Sequence, residues 1–306
     1  MPYFTSSWSF FEKLAGYDLH LAALVKIWLL AFAATVILCF LVGEITRNYS
    51  QTDKLWSLMP LIYGWASVGY YPSSPRLWLM AILLTVWGLR LSYNFYRKGG
   101  YNIIPWRGEE DYRWKVMREH PKLKGRLSFG LFNLLFISFY QHFLILLFSS
   151  PMLMAAKHHN TGLSFIDIMT ACLILFFIAV ETIADNQQFR FQRMKREPGK
   201  KDSLYAESLR EGFLKEGLWR YMRHPNFAAE QGIWISFYFF GVAAAGKWIN
   251  WTLAGTVLLV LLFRGSTQLT EKISSSKYPG YAAYKRRVPK FLPRLFRKEE
   301  VNEQIA

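Results

Sequence analysis

Seven stretches of mainly apolar residues, at 22–43, 55–71, 77–96, 129–154, 164–184, 227–246 and 249–265, constrain this chain more than any other feature. A transmembrane helix needs about 20 such residues, because hydrocarbon offers no partner to a bare backbone amide. The first stretch is interrupted only by Lys26. The second is shorter and carries Pro60, which predicts a kink. The last two are separated by Lys247 and Trp248 alone, which predicts a tight helical hairpin. The expected fold is all-α: a multi-pass transmembrane helical bundle of about seven spans.

The basic residues set the expected topology. The chain carries 37 Lys and Arg against 21 Asp and Glu, a net charge of +16. Nine of the basic residues fall in residues 97–126, ten in 190–223 and ten in 264–298. The intervening loops hold Arg76, Lys157 and Lys247, one each. The positive-inside rule therefore predicts an N-terminus outside and a C-terminus in the cytoplasm, in a bacterial inner membrane or the endoplasmic reticulum. Aromatic-rich apolar blocks between the basic segments assign the positive charge to membrane topology, so no nucleic-acid partner is expected. A composition that is 52% hydrophobic excludes a disordered chain. Cys39 and Cys172 both lie in apolar runs, which argues against a disulfide scaffold or a thiolate zinc site. Residues 1–21 lack the basic start and apolar core of a cleavable signal peptide, and Phe4, Trp8, Phe10 and Phe11 fit an interfacial segment.

Polar residues at membrane depth carry the chemistry, because they are costly there unless paired or functional. Glu181, Asp185 and Gln188 recur at helical spacing on one face, as do Arg264, Gln268 and Glu271. Arg90 and Asn94 form a third set, and Gln141 with His142 a fourth. Each set also has a purely structural reading as an interhelical pair. His142 is expected to be a satisfied interhelical donor. No metal motif, Walker loop or GxGxxG is present, so no metal ion is expected. The most informative stretch runs from Gly217 to Phe227. Pro225 suits the first turn of a helix, which places Arg220, Arg223 and His224 beside a helix amino end that favours anions. Asn226 and Glu230 follow four residues apart within that helix.

Three segments carry a resemblance to a known family: Ala184 to Arg190, Gly217 to Glu230, and Lys277 to Pro293, with further likeness from Arg107 to Trp114. The chain resembles the membrane proteins grouped with the C-terminal domain of steroid 5-alpha-reductases. That resemblance implies a membrane reductase in which residues 127–306 form the cofactor-holding domain. Residues 1–126 would supply the N-terminal spans, a basic loop and a lipid cavity. It implies NADPH as cofactor, with Asp185, Arg220, Arg223, His224, Asn226, Glu230, Arg264, Glu271 and Tyr278 at its binding positions. The reaction implied is hydride transfer to a conjugated C=C bond of a membrane lipid of steroid, sterol or enoyl type. This sequence departs from the family at the carbonyl-polarising residues. The second span has no buried acid, and Trp87 stands where the family has a tyrosine. Asp53, Tyr63 and Tyr93 are the nearby candidates for the proton donor.

Arg223-His224-Pro225 and Tyr281-Ala282-Ala283-Tyr284 are also similar to isoprenylcysteine and phospholipid methyltransferases. That likeness implies S-adenosylmethionine instead. The paired glutamates typical of those enzymes are reduced here to Glu271 alone, flanked by Thr270 and Lys272. A third reading is a lipid-binding membrane protein without catalysis. Oligomeric state is not readable from the sequence.

Overall fold

The computed structural model describes residues 18–104, 106–197 and 203–293. Among them there is no β-strand. The expected signal-peptide test and interfacial segment fall outside these residues. The α-helices are α1 (Leu19–Thr46), α2 (Gln51–Trp56), α3 (Met59–Tyr70), α4 (Pro75–Arg97), α5 (Tyr112–Glu119), α6 (Arg126–Ser149), α7 (Pro151–Lys157), α8 (Phe165–Arg196), α9 (Ala206–Glu211), α10 (Pro225–Ala245), α11 (Leu253–Lys277) and α12 (Tyr281–Arg287). Five of these, α1, α4, α6, α8 and α11, are long and apolar enough to cross a membrane. Leu29, Leu30, Ile37, Leu38 and Leu41 of α1 are all exposed, as a lipid-facing surface requires.

The two remaining apolar stretches take other forms. Instead of one kinked helix over 55–71, the chain closes α2 at Trp56 and restarts at Met59, with Pro60 in the new first turn. Proline has no amide to donate, so that first turn is where it does least harm. The helix α10 has 21 residues but opens with polar Asn226, Glu230 and Gln231. The hairpin after α10 is longer than two residues. Gly246 turns the chain at φ +65°, and Tyr238 donates a 2.6 Å hydrogen bond to the Trp248 carbonyl. Asn250 then accepts from the Thr252 amide at 3.1 Å, delaying α11 until Leu253.

The chain divides into two compact units, Met1–Ile174 with Trp234–Leu259, and Leu175–Ile233 with Val260–Ala306. The first has an aromatic core. Trp28 stacks on Tyr63 with ring centroids 4.4 Å apart, and Trp234 meets Phe148 at 4.0 Å and Trp87 edge-on at 5.0 Å. Such rings bury large apolar areas with defined geometry. At Gly255 a Cβ would strike the main chain of Leu147 and Phe148, so only glycine allows α11 to approach α6 this closely. Within α6, residues Asn133–Tyr140 are π-helical, and Phe132, Phe136 and Tyr140 stack in series along it. A wide turn of this kind inside an α-helix often marks a functional position.

The first unit also holds a fully buried ion pair. Arg76 Nε donates to Asp167 Oδ1 at 2.7 Å, and Arg76 Nη2 donates to Oδ2 at 2.9 Å. The remaining guanidinium donors reach Thr161 Oγ1 and the Gly162 carbonyl. Asp167 also accepts from the amide and hydroxyl of Ser164 at 2.7 and 2.8 Å, closing the first turn of α8 as a capping box. Both oxygens of the carboxylate are thereby engaged, which is what allows the pair to be buried.

Candidate functional site

The second unit contains an antiparallel helix pair with a polar seam. Asn226, in the first turn of α10, donates from Nδ2 to Asp185 Oδ1 of α8 at 3.4 Å. Further along the same pair, a Cβ at Gly232 would meet the Phe177 ring at 2.7 Å. This register sets Glu230 level with Glu181, since each lies four residues, about one turn, beyond the Asn226–Asp185 contact. Glu181, Asp185 and Glu230 are all buried. Gln188, three residues after Asp185 on the same face, has a buried Oε1 with no hydrogen-bond donor. A buried acceptor left without a donor costs about 1–3 kcal/mol. A ligand donor reaching it would relieve that cost.

Beside the seam lies an ion cluster that the sequence did not disclose. Glu271 Oε1 accepts from Arg223 Nε at 2.8 Å and from His224 Nε2 at 3.0 Å. Lys285 Nζ lies 3.2 Å from Glu271 Oε2. The carboxylate partner requires the proton on His224 Nε2. Arg223 also donates from Nη1 to the carbonyls of Lys285 and Val288. The Arg223 and His224 amides bond to the carbonyls of Pro289 and Lys290, at 2.9 and 3.2 Å. These contacts fasten residues 285–290 to the start of α10. Arg223 and His224 thus have their donors engaged within the chain, whereas Arg220 and Arg264 are exposed.

Short-range geometry explains the approach to α10. Gly217 adopts φ +62°, and a Cβ there would collide with the Gln187 side chain. Gln187 Oε1 accepts from the Leu218 amide at 3.0 Å, and the Tyr284 hydroxyl donates to the Trp219 carbonyl at 2.5 Å. Tyr278 sits apart from the seam, accepting from Lys195 Nζ at 2.9 Å while that ammonium also reaches the Gly212 carbonyl. Partial burial opposes ionisation of the Tyr278 phenol, but the Lys195 ammonium outweighs it and holds the phenol below its ordinary range.

The three proton-donor candidates lie in the first unit, each in different surroundings. Tyr63 is buried, with a hydroxyl that has no hydrogen-bond partner, against Trp28. Tyr93 is exposed, with Arg97 over its ring at 5.7 Å. Asp53 accepts from Trp114 Nε1 at 2.8 Å, close to the Arg113–Asp111 pair. Burial pushes the Asp53 carboxyl up despite Arg113. Burial acts on Asp111 in the same sense, but the Arg113 charge and the hydrogen bonds it donates bring the carboxyl down. A carboxyl raised on folding contributes its penalty once pH exceeds its folded value. Asp53→Asn removes that penalty while its amide oxygen still accepts from Trp114. Its thermal midpoint at neutral pH should therefore equal or exceed that of the wild type. A clear fall would mean that the ionised carboxylate is a net stabiliser.

Comparison with known proteins agrees in extent with the residues described. The family described as "Protein of unknown function (DUF1295)" matches residues 39–288. An uncharacterized protein of Schizosaccharomyces pombe is 39% identical over 287 residues, covering 86% of this chain and 80% of the relative. No solved structure matches. The chain belongs to the DUF1295 family.

Proposed function

We propose that this DUF1295 member is an NADPH-dependent membrane reductase, acting on a conjugated C=C bond of a lipid in the manner of the steroid 5-alpha-reductases it resembles. The chain would cross the membrane seven times, with the broken segment α2–α3 and α10 as the two spans beyond the five longest and most apolar helices. The basic segments would then face the cytoplasm, where the nucleotide is available. The observation that carries the reading is the buried, donorless Gln188 Oε1 beside the Asp185–Asn226 contact.

The residues of the seam fit the polar, uncharged parts of such a cofactor. Carboxylate and amide oxygens of Asp185, Glu230 and Gln188 are acceptors for ribose hydroxyls and a carboxamide N–H. Asn226 is fixed by Asp185 and orients the group it meets. Exposed Arg220 and Arg264 would hold phosphate oxygens, the geometry for which guanidinium is best suited. NADPH, when bound, supplies the hydride. The chain's part is to place it and to hydrogen-bond the substrate carbonyl in an apolar cavity, where one well-aimed donor counts for most.

One observation favours a methyltransferase instead. Three buried carboxylates on the seam, and an Arg223–His224 pair already engaged by Glu271, suit a cationic sulfonium better than a string of phosphates. The two readings separate by ligand, and the seam itself is tested by substitution. Asn226→Ala should weaken NADPH binding roughly three- to tenfold, the loss of one neutral hydrogen bond network. Gln188→Met should weaken it similarly while leaving the folded chain equally or more stable, since it removes an orphaned polar atom. Unchanged NADPH affinity in both variants would remove the seam from the site.

A further inference from the structure

A cavity of about 390 Å³ opens in the first unit between α1, α2 and the segment after α4. Leu38, Val42, Leu55 and Leu58 make it apolar, and Lys54, Tyr101 and Asn102 stand at its polar part. Cys39 also lines it. The Cys39 sulfur lies 3.9 Å from His142 Nε2. The other imidazole nitrogen, Nδ1, is 2.7 Å from the Ser138 carbonyl, in the π-helical stretch of α6. A carbonyl can only accept, so Nδ1 carries the hydrogen and Nε2 presents its lone pair to the thiol. A thiol beside an oriented imidazole lone pair can hand over its proton as the sulfur attacks, which is general-base assistance of a nucleophile.

A second observation stands beside this pair. The Thr52 hydroxyl is 1% exposed and makes no hydrogen bond of normal geometry. A buried hydroxyl without a partner is costly, and Thr52 sits on α2 beside cavity-lining Gln51, where an acceptor on a bound electrophile would satisfy it.

We propose that Cys39 is a covalent capture site for soft electrophilic lipids, specifically α,β-unsaturated aldehydes or ketones entering from the bilayer. In the reaction, the Cys39 S–H bond breaks and its proton moves to His142 Nε2. A sulfur–carbon bond forms at the β-carbon while the π electrons shift to the carbonyl oxygen. The proton then passes to the α-carbon, restoring the carbonyl and neutral His142. Nothing is oxidised or reduced and nothing departs. Lys54, with an ammonium held by Gln51 Oε1 at 3.2 Å and the Arg107 carbonyl at 2.9 Å, lines the same cavity and can steady the enolate oxygen. An acyl donor fits less well, because it must expel a leaving group into a small apolar space. The site does not rest on the nucleotide reading, since the addition uses no hydride.

The test uses the full chain in detergent with an alkyne-tagged 2-alkenal, and the corresponding saturated aldehyde as control. Adducts are assigned by peptide mass. Cys39 should be alkylated faster than Cys172, although Cys172 is exposed and Cys39 is only 5% exposed. The saturated aldehyde should leave Cys39 unmodified. His142→Gln should slow Cys39 labelling about 100-fold or more, the lower end of the range for loss of a general base, with the Cys172 rate unchanged. Thr52→Val, which keeps the side-chain shape, should slow it several-fold. Labelling of Cys172 with Cys39 untouched would overturn the assignment. So would a Cys39 rate that neither variant lowers.

Discussion

Asp167→Ala is expected to destabilise the folded chain by about 3–5 kcal/mol, the usual cost of stranding one member of a buried ion pair. Arg76 is 1% exposed, and the change removes two of its charge-assisted hydrogen bonds at once. It also opens the capping box at Ser164, for which about a further 1 kcal/mol is typical. Thermal or denaturant unfolding in detergent reads the effect. Asp167→Asn should cost less, because an amide oxygen still accepts from Arg76. If Asp167→Ala unfolds within about 0.5 kcal/mol of the wild type, the guanidinium has found water or a new acceptor, and the pair is not the anchor its geometry implies.

Glu271→Ala is the second large effect, with an expected loss of about 3 kcal/mol, at the lower end of the range for buried pairs. The lower end applies because Lys285 is about half exposed and recovers its hydration, whereas Arg223 and His224 do not. The same change should free residues 285–290, which hang from Arg223 through side-chain and backbone bonds. Limited proteolysis is therefore expected to cut near Arg286 and Arg287 sooner in the variant than in the wild type. Equal cleavage rates would show that the backbone bonds to Pro289 and Lys290 suffice without the carboxylate.

Much of this architecture was legible because lipid leaves the backbone few options. Length and apolarity marked all five helices that are long and apolar enough to cross a membrane, since a helix satisfies its own amides within hydrocarbon. The Pro60 break was visible in kind, though the chain restarts its helix where a bend was expected. Arg76 was not readable: it counted as the lone charge of a loop, and nothing in the sequence links it to a carboxylate 91 residues away.

The seam shows the same division. Helical spacing placed Glu181, Asp185 and Gln188 on one face, and Asn226 with Glu230 on another, before any contact was known. The antiparallel register that brings Asn226 to Asp185 depends on how two helices pack, through Gly232 and Phe177, and periodicity does not encode that. Arg223, His224 and Glu271 were each singled out as binding residues, yet their engagement with one another, and with Lys285, is a tertiary fact. It leaves Arg220 and Arg264 as the exposed cations.

Direct titration of the purified full chain with NADPH, and separately with S-adenosylmethionine, bears most directly on what the seam is for. Saturable binding of NADPH, weakened by Gln188→Met and by Arg220→Ala, with no binding of S-adenosylmethionine, is the expected result. Saturable binding of S-adenosylmethionine with none of NADPH, or binding of neither, would contradict the reductase.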